Sequence, residues 1–576
     1  MSGELVTLVN PNKLQPAITP YALDILTTSL EDDGFEVDVL DLTFCADQWA
    51  EAVGQYFSSH NPLLVGITLR NTDTIYPQDQ RVFLGDHKEV VSEIRKHTSA
   101  PLIGGGAGFS SMPFAATEFL ELDFGVKGPG EVIICRLAAA LSDGNSPHTV
   151  PGLIINDRLE GVLRVPAESK EMFSGSSVLL QTSGFGEPRA WQANRQTPYR
   201  RRSGAPYKVD NSEYYRRGGL GNILLKNGCP YRCAHCLEPD AKGNAFALRS
   251  VHSVVDEVES LTAQGIYDLH STDSEFNLAI AHSKTVLREI VRRKETDRTT
   301  SLHSLRLWIY AQPAPFDEEF AELLAQAGCA GVNVSPDHVR DDILNGWKVT
   351  GKGTRYYNYD KLVKVVQLIH GNGMLSMLEV LLGMPGETRE TLLECIDRMM
   401  ELNTTVVGFT LGIRIFPYSP LGMRCAEESD GREVVRGIQS NTATEPIILR
   451  PQHRCSSVVE YERQFIFDNS GAFRPLFYFS PQLPEDEETI NRPNGRRLKT
   501  LRLIWDYIPE SDHHRVMLPT VPGITKDDNN GADNPFMVTL VRLGHKGAFW
   551  SKWRDRDSIM RDAEQRGLLY GSKAST

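Results

Sequence analysis

The chain has 576 residues, 40% of them hydrophobic and 23% charged, and a formal net charge of -13. At roughly 150 residues per unit that length predicts three or four units. The acidic balance argues against a polyanion-binding surface over most of the molecule, so no nucleic-acid partner is expected.

The first 145 or so residues alternate strand and helix. Short apolar strands are predicted at Leu5–Val9, Phe35–Leu40, Leu63–Leu69, Pro101–Ile103 and Phe124–Val126. Amphipathic helices at Tyr21–Leu30, Lys88–Lys96 and Pro113–Glu121 separate them. This repetition predicts a parallel, doubly wound sheet, with ligands beyond the strand C-termini. Asn10-Pro11-Asn12, Arg70-Asn71-Thr72-Asp73, Gly104-Gly105-Gly106-Ala107-Gly108-Phe109-Ser110-Ser111 and Gly128-Pro129-Gly130-Glu131 stand at those ends. Glycines there let backbone approach a bulky ligand, and the serines offer hydrogen bonds. A dinucleotide fingerprint is a poor fit, because its glycines belong after the first strand.

From 146 to 215 the periodicity weakens, which predicts a linker. Tyr199-Arg200-Arg201-Arg202 and Tyr214-Tyr215-Arg216-Arg217 read as solvated linker charges, or as contacts to an anionic ligand. From 216 to 420 the alternation returns. Strands are predicted after the apolar run Ile223-Leu224-Leu225, at Ile266–Leu269, Leu305–Tyr310, Gly331–Val334, Met377–Leu382 and Val406–Ile415, with helices at Val254–Ala263, Asp317–Ala327, Asp360–His370 and Arg389–Met400. Six βα units fit a partial barrel that opens at its strand C-termini. Residues 421–576 mix aromatic pieces such as Phe477-Tyr478-Phe479 with polar helices, and read as an α+β cap.

The start MSGELVTLVN has no charged n-region, long apolar stretch or small-residue cleavage site, and runs such as Leu378 to Met384 are far short of a membrane span. A cytoplasmic protein without membrane association is expected. Six cysteines are scattered without ligand spacing; the other three form Cys229-Pro230-Tyr231-Arg232-Cys233-Ala234-His235-Cys236. Thiolates so spaced on one loop can hold three irons of a [4Fe-4S] cluster and leave the fourth without a cysteine. A zinc knuckle would need a second ligand pair, and none follows at suitable spacing.

The cysteine loop, with Gly383-Met384-Pro385-Gly386-Glu387-Thr388 after a fifth strand, resembles the radical S-adenosylmethionine (SAM) superfamily. The preceding Rossmann-like unit, with Gly104-Gly105-Gly106 and Gly128-Pro129-Gly130-Glu131, resembles the cobalamin-binding domain of its cobalamin-dependent branch. The DxHxxG motif that would place a histidine under the cobalt is absent, and His60, His87 and His97 read as surface residues. The resemblance places Arg70 near the lower face of the corrin; the alternative is a strand-end arginine paired with Asp73 or with the corrin's amide tail.

The chain departs from the superfamily twice. His235 replaces the usual aromatic beside the adenine, where it can still stack. Ser271-Thr272-Asp273-Ser274-Glu275-Phe276-Asn277 replaces the Gly-Gly-Glu motif that grips the SAM amine. Either Glu275 ligates the fourth iron, which would block reductive cleavage of SAM, or Asp273 or Glu275 bonds the SAM ammonium. Together with Trp308-Ile309-Tyr310, these features resemble the tryptophan 2-C-methyltransferases of thiopeptide antibiotic pathways. The resemblance implies methylation of free L-tryptophan at indole C2 through methylcobalamin, without a radical from SAM, and an electron donor for cob(II)alamin reduction. Tyr310 is a candidate to bond or deprotonate the indole N–H, or an aromatic of the barrel mouth. Gly383 and Pro385 would shape a backbone strap near SAM. The main alternative is a radical methylase of an sp3 carbon or phosphinate.

Overall fold

The computed structural model describes residues 3–13, 17–75, 81–157, 162–164, 208–345, 347–348, 357–427, 435–439, 443–447, 457–468, 470–478, 480, 482–483, 499–518, 534–545 and 549–569. Its first sheet has strands β1 (Leu5–Asn10), β2 (Glu36–Asp41), β3 (Leu64–Thr68), β4 (Leu102–Gly105), β5 (Phe124–Val126), β6 (Leu153–Asp157) and β7 (Val162–Arg164), in the order β2-β1-β3-β4-β5-β6-β7. The first five are parallel and the last two antiparallel. Helices cover both faces, so the strands are apolar almost throughout. The strand order reverses between β1 and β3, where such sheets open a ligand crevice.

Strands β6 and β7 carry this sheet past residue 145, into the segment read as a linker. Helix Asn211–Arg216 then returns the chain to the first unit, where Tyr214 is fully buried among β1- and β2-side residues. Residues 165–207, with the run at 199–202, lie outside the described residues.

The second large sheet uses β8 (Gly221–Ile223), then, after a short hairpin of β9 (Lys226–Asn227) and β10 (Ala247–Leu248), β11 (Asp268–Ser271), β12 (Arg306–Ala311), β13 (Cys329–Asp337), β14 (Leu375–Leu382) and β15 (Val406–Leu411). A small sheet of β16 (Ile413–Arg414), β17 (Val435–Gln439), β18 (Ala443–Ile447) and β19 (Leu476–Tyr478) follows, and β20 (Val516–Met517) comes back to lie parallel beside β15. The order β20-β15-β14-β13-β12-β11-β8 is that of a partial parallel barrel.

Two predicted strands end differently. The strand expected at 266–269 starts two residues later, because Gly265 at φ 85° turns the chain and the Ile266 N–H closes the preceding helix on Leu261 O. The strand expected over 406–415 breaks at Gly412, whose φ of 91° suits glycine, and β16 leaves the barrel to pair with β19.

Alternate residues of the barrel strands face opposite ways. Leu269, Leu307, Ile309, Val332, Val334, Leu378, Val380, Val407 and Phe409 pack against the helices as one core. At about 1.5–3 kcal/mol for each large apolar side chain buried, this face holds the barrel together. The other set, His270, Trp308, Tyr310, Asn333, Glu379 and Thr410, lines the lumen.

A second core joins the units. Val9, Ile67 and Leu69 of the first sheet share it with Ala234, Trp347, Tyr357, Met384 and Ile413. At its centre Arg414 grips Asp73, which follows β3, through Nε and Nη2 at 3.0 and 2.9 Å. Among the described residues, no helix is long and apolar enough to cross a membrane.

Candidate cofactor and substrate site

The cysteine loop leaves the C-terminal end of β8 and is fixed by backbone bonds. Gly228, at φ 86°, leads into it with its Cα so close to Ala245 that a Cβ would lie 2.0 Å from the carbonyl oxygen; only glycine fits. The Cys229 N–H donates to Gly243 O at 2.9 Å, the Ala234 N–H to Trp347 O at 2.9 Å, and the Leu421 N–H to Ala234 O at 2.8 Å. Cys229 and Cys233 are buried, Cys236 is half-buried, and all three are free thiols. Burial pushes the Cys229 thiol up to about 12 and raises Cys236 as well. Bare thiolates are therefore disfavoured here, and a bound cation would stabilise them. Among the described residues no three Cys, His, Asp or Glu side chains gather as ligands of a single metal ion, the arrangement zinc would need.

The segment after β11 separates its two carboxylates. Asp273, one of the two carboxylates expected from the sequence as candidates for the SAM amine, is engaged by the turn after β8. Its oxygens accept the Leu225 and Lys226 N–H groups at 3.1 and 2.9 Å, Lys226 Nζ at 3.1 Å and Ser271 Oγ at 2.5 Å. Four donors saturate it, so it braces the turn after β8, and its expected cofactor role is corrected on that ground. Glu275 is placed differently. Its Oε1 accepts Gln312 Nε2 at 2.5 Å, while Oε2 is buried with no partner. Burial pushes its carboxyl up to about 8, and Cys229 lies within its electrostatic reach. An unsatisfied carboxylate oxygen within electrostatic reach of Cys229 suits the fourth ligand of a cluster.

Residues that sequence reasoning missed complete this face. Asp337, at the end of β13, has a φ of 60°, a strained conformation for a residue other than glycine. Its Oδ1 holds Lys348 Nζ at 3.2 Å, and its Oδ2 lies 3.8 Å from His235 Nδ1. Both Asp337 Oδ2 and His235 Nδ1 are buried without hydrogen bonds, as are Asn333 Oδ1 and Trp347 Nε1. His235 stacks on Trp347 with ring centroids 5.4 Å apart and planes 16° from parallel. Lys348 is 3% exposed, and Cys233 and Glu275 both add to its positive character. Three of these unsatisfied buried atoms, on His235, Asp337 and Trp347, belong to side chains in mutual contact at the cysteine loop and mark the place of a polar ligand. The left-handed backbone at Asp337 had no glycine to betray it in the sequence.

At the first sheet the glycine loops sort into two kinds. A Cβ on Gly104 would lie 2.5 Å from Leu122, so this glycine serves packing; a Cβ on Gly105 would meet nothing within 4 Å. Gly106 and Gly128 have φ of 107° and 78°. Ser110 Oγ donates to Gly106 O at 2.9 Å and accepts the Gly128 N–H at 2.8 Å, tying the two loops together. Ser111 Oγ donates to Gly108 O at 2.6 Å. Both hydroxyls are buried and spend their protons within the loops, which leaves them only acceptor capacity toward a ligand.

Asn10 is engaged likewise: its Nδ2 donates to Asp41, Thr43 and Tyr214, in the interior. Gly130 and Glu131 open the helix Glu131–Ser142 at the same edge, and burial pushes the Glu131 carboxyl up to about 7. His87, expected at the surface, is buried and its Nδ1–H donates to Phe83 O at 2.6 Å.

The two edges meet. Helix Ala107–Ser111 packs on helix Glu238–Lys242, which follows the cysteines, and Lys127 Nζ reaches Asp240 at 2.8 Å while sitting 4.0 Å over the Tyr418 ring. Arg70 does not have Asp73 as its partner, because Arg414 takes that carboxylate. Its charge reaches His270 in the barrel mouth, where burial first, and Arg70 in addition, hold the imidazole down to about 4. Tyr310 meets His270 edge-on, centroids 5.0 Å apart. The strap after β14 turns at Gly383, at φ 90°; its N–H donates to the Glu387 carboxylate and its carbonyl accepts the Ser480 N–H at 2.9 Å. Pro385 is half-buried in it.

A parallel sheet with an open glycine edge, packed through its loops on a three-thiol loop of a partial barrel, defines a protein built to hold two cofactors side by side. The B12 binding domain family model matches residues 9–138 and the Radical SAM superfamily model residues 223–399, which makes this a cobalamin-type radical SAM protein. Tryptophan 2-C-methyltransferase of Streptomyces laurentii is 54% identical, over 97% of both chains. The chain belongs to the tryptophan 2-C-methyltransferase family. TsrM, a radical SAM methyltransferase of Kitasatospora setae solved with tryptophan substrate and the SAM analogue aza-SAM bound, is 52% identical; it covers 98% of this chain and 100% of its own, with a TM-score of 0.85. The same protein solved with cobalamin and a [4Fe-4S] cluster bound gives a TM-score of 0.84. OxsB, a cobalamin-dependent SAM radical enzyme solved with aqua-cobalamin and SAM bound, shares the fold at 15% identity and a TM-score of 0.52 over 73% of this chain.

Proposed function

We propose that this protein moves a methyl group from SAM, by way of cobalamin, to C2 of the indole of L-tryptophan. The observation that carries the reading is full-length similarity to a tryptophan 2-C-methyltransferase, joined to a site with three cofactor-sized demands met: three thiols, an open glycine edge, and a cluster of unsatisfied polar atoms. Cys229, Cys233 and Cys236 would hold a [4Fe-4S] cluster, and Glu275 Oε2 would take its fourth iron. A carboxylate there leaves SAM no iron to bind for reductive cleavage, which favours polar over radical transfer. Cobalamin, when bound, supplies a methyl carrier able to deliver a cationic methyl equivalent to a carbon nucleophile.

The chain's residues then bind and orient. Gly105, Gly106 and Gly128 would make room for the corrin, and Arg70 would bring a positive charge that cannot ligate cobalt. His235, held by Trp347, would offer a ring to the adenine, and the Gly383–Pro385 strap would shape the backbone near SAM. Tyr310, with His270 edge-on behind it, forms an aromatic wall that orients the indole. Indole is itself a carbon nucleophile, so no hydrogen abstraction is needed. An electron donor keeps the cobalt active; the setting is cytoplasmic and the product a building block of a thiopeptide antibiotic.

The test is an anaerobic assay of reconstituted protein with L-tryptophan, SAM and reductant. The expected result is 2-methyltryptophan with equimolar S-adenosylhomocysteine. Formation of 5'-deoxyadenosine in step with product would refute polar transfer. Glu275→Gln is expected to change the cluster's absorption and paramagnetic resonance, and an unchanged spectrum would remove Glu275 from the ligand set.

A further inference from the structure

Asn333 on β13 and Glu379 on β14 stand side by side in the barrel lumen. Asn333 shares its register with Tyr310 on one side and Met377 on the other. Its Nδ2 donates to Glu379 Oε1 at 2.8 Å. Asn333 is 2% exposed, and its Oδ1 has no hydrogen-bond partner. Glu379 Oε2 accepts no hydrogen bond from a described residue, and Glu379 is only half-buried although it sits within a central barrel strand. The accessible part of that side chain therefore meets the lumen. Gly408, beside Glu379 in register, leaves the space open, since a Cβ there would come no nearer than 3.6 Å to Met377.

The pair thus presents two oxygen acceptors to the lumen, Asn333 Oδ1 and Glu379 Oε2, beside the second N–H of the Asn333 amide. The nearby cation, Lys348, is bound to Asp337. A buried acceptor left without a donor is costly, and such groups are rarely kept without a partner. The missing partner is a donor, and an amino-acid substrate with an indole ring offers N–H groups. Burial raises the Glu379 carboxyl, so its anion is the stronger acceptor. Resting on the functional reading above, we propose that Asn333 and Glu379 form the N–H-accepting end of the tryptophan site, binding either the indole N1–H or the α-ammonium group of the substrate. Bonding at N1–H would enrich C2 in electron density; bonding at the ammonium would set how far the ring reaches toward Tyr310.

The test is calorimetric binding of three ligands to the reconstituted holoprotein: L-tryptophan, 1-methyl-L-tryptophan, which lacks the N1–H, and indole-3-propionate, which lacks the amine. A lost charge-assisted hydrogen bond weakens binding about tenfold. Glu379→Met is expected to bind L-tryptophan about tenfold more weakly and to lose the preference over one analogue. Collapse against 1-methyl-L-tryptophan assigns the indole N–H, and collapse against indole-3-propionate assigns the ammonium. Should Glu379→Met fail to take up cobalamin, read from its visible absorption, the near-isosteric Glu379→Gln serves: its amide oxygen stays with Asn333 Nδ2 and its NH2 group opposes the ligand, with the same loss expected. Wild-type ratios in the variant overturn the proposal. If the wild-type protein itself neither binds nor methylates L-tryptophan, the functional reading falls first, which is a separate result.

Discussion

Replacing Arg414 by methionine removes the cation that ties the two halves of the molecule together. The guanidinium and Asp73 are 3% and 2% exposed, and Nη1 also reaches Ile415 O, Phe465 O and Leu476 O at 2.5, 3.0 and 3.3 Å. Breaking a buried pair from one side costs about 3–5 kcal/mol, because the remaining charge is left unpaired. Three carbonyls losing a donor add to that, so about 5 kcal/mol is expected. At about 2–4 °C per kcal/mol for a unit of 150–250 residues, the first unfolding transition should fall by about 10 °C or more. Scanning calorimetry measures it, and cobalamin retention should fall in parallel because Asp73 closes the loop that carries Arg70. The double variant Asp73→Asn with Arg414→Met should recover part of the loss, since no buried charge then stands alone. A single-variant shift under about 2 °C would refute the reasoning.

The glycines of the first sheet offer a paired test. Gly104→Ala should cost about 1–3 kcal/mol by overpacking against Leu122, measured by denaturant melts, whereas Gly105→Ala should leave stability unchanged and weaken cobalamin binding, measured by titration. Asp273→Asn leaves Lys226 Nζ, 1% exposed, without its anion, and should lower the thermal midpoint more than Glu275→Gln does. His270 gives a pH signature. Its folded value of about 4 lies below an unfolded value near 6.5, so the unfolded chain binds the proton first. The stability it allows is present above about 6.5 and is lost as pH falls toward 4, by about 3 kcal/mol at most. His270→Gln should flatten that part of the profile in melts taken at pH 4.5 and 7.5; parallel curves would remove His270 as the cause.

The cysteine triplet was legible because its chemistry is local: three thiols on one short loop need no distant partner to be recognised. The alternation of apolar runs with amphipathic helices was equally legible, since period 2 and period 3.6 are properties of consecutive residues. Roles that depend on which donors surround an acceptor were not. Asp273 and Glu275 are two residues apart and read alike in sequence, yet one is saturated by Leu225, Lys226 and Ser271 while the other keeps an oxygen free. Asn10 and Ser110 stand at the right strand ends, yet their bonds to Tyr214 and the Gly128 N–H could not be read from neighbouring residues.

By itself, then, the chain's order of residues determined two sheets, their sequence of units and a three-thiol loop with no histidine motif for the cobalt. Only the tertiary structure decided that Asp73 belongs to Arg414, that the charge of Arg70 is felt at His270, that Asp337 holds Lys348, and that Asn333 bonds Glu379. The physical reason is that hydrogen-bond capacity and burial are consumed pairwise. Which atoms remain available to a ligand is known only once every long-range partner is in place.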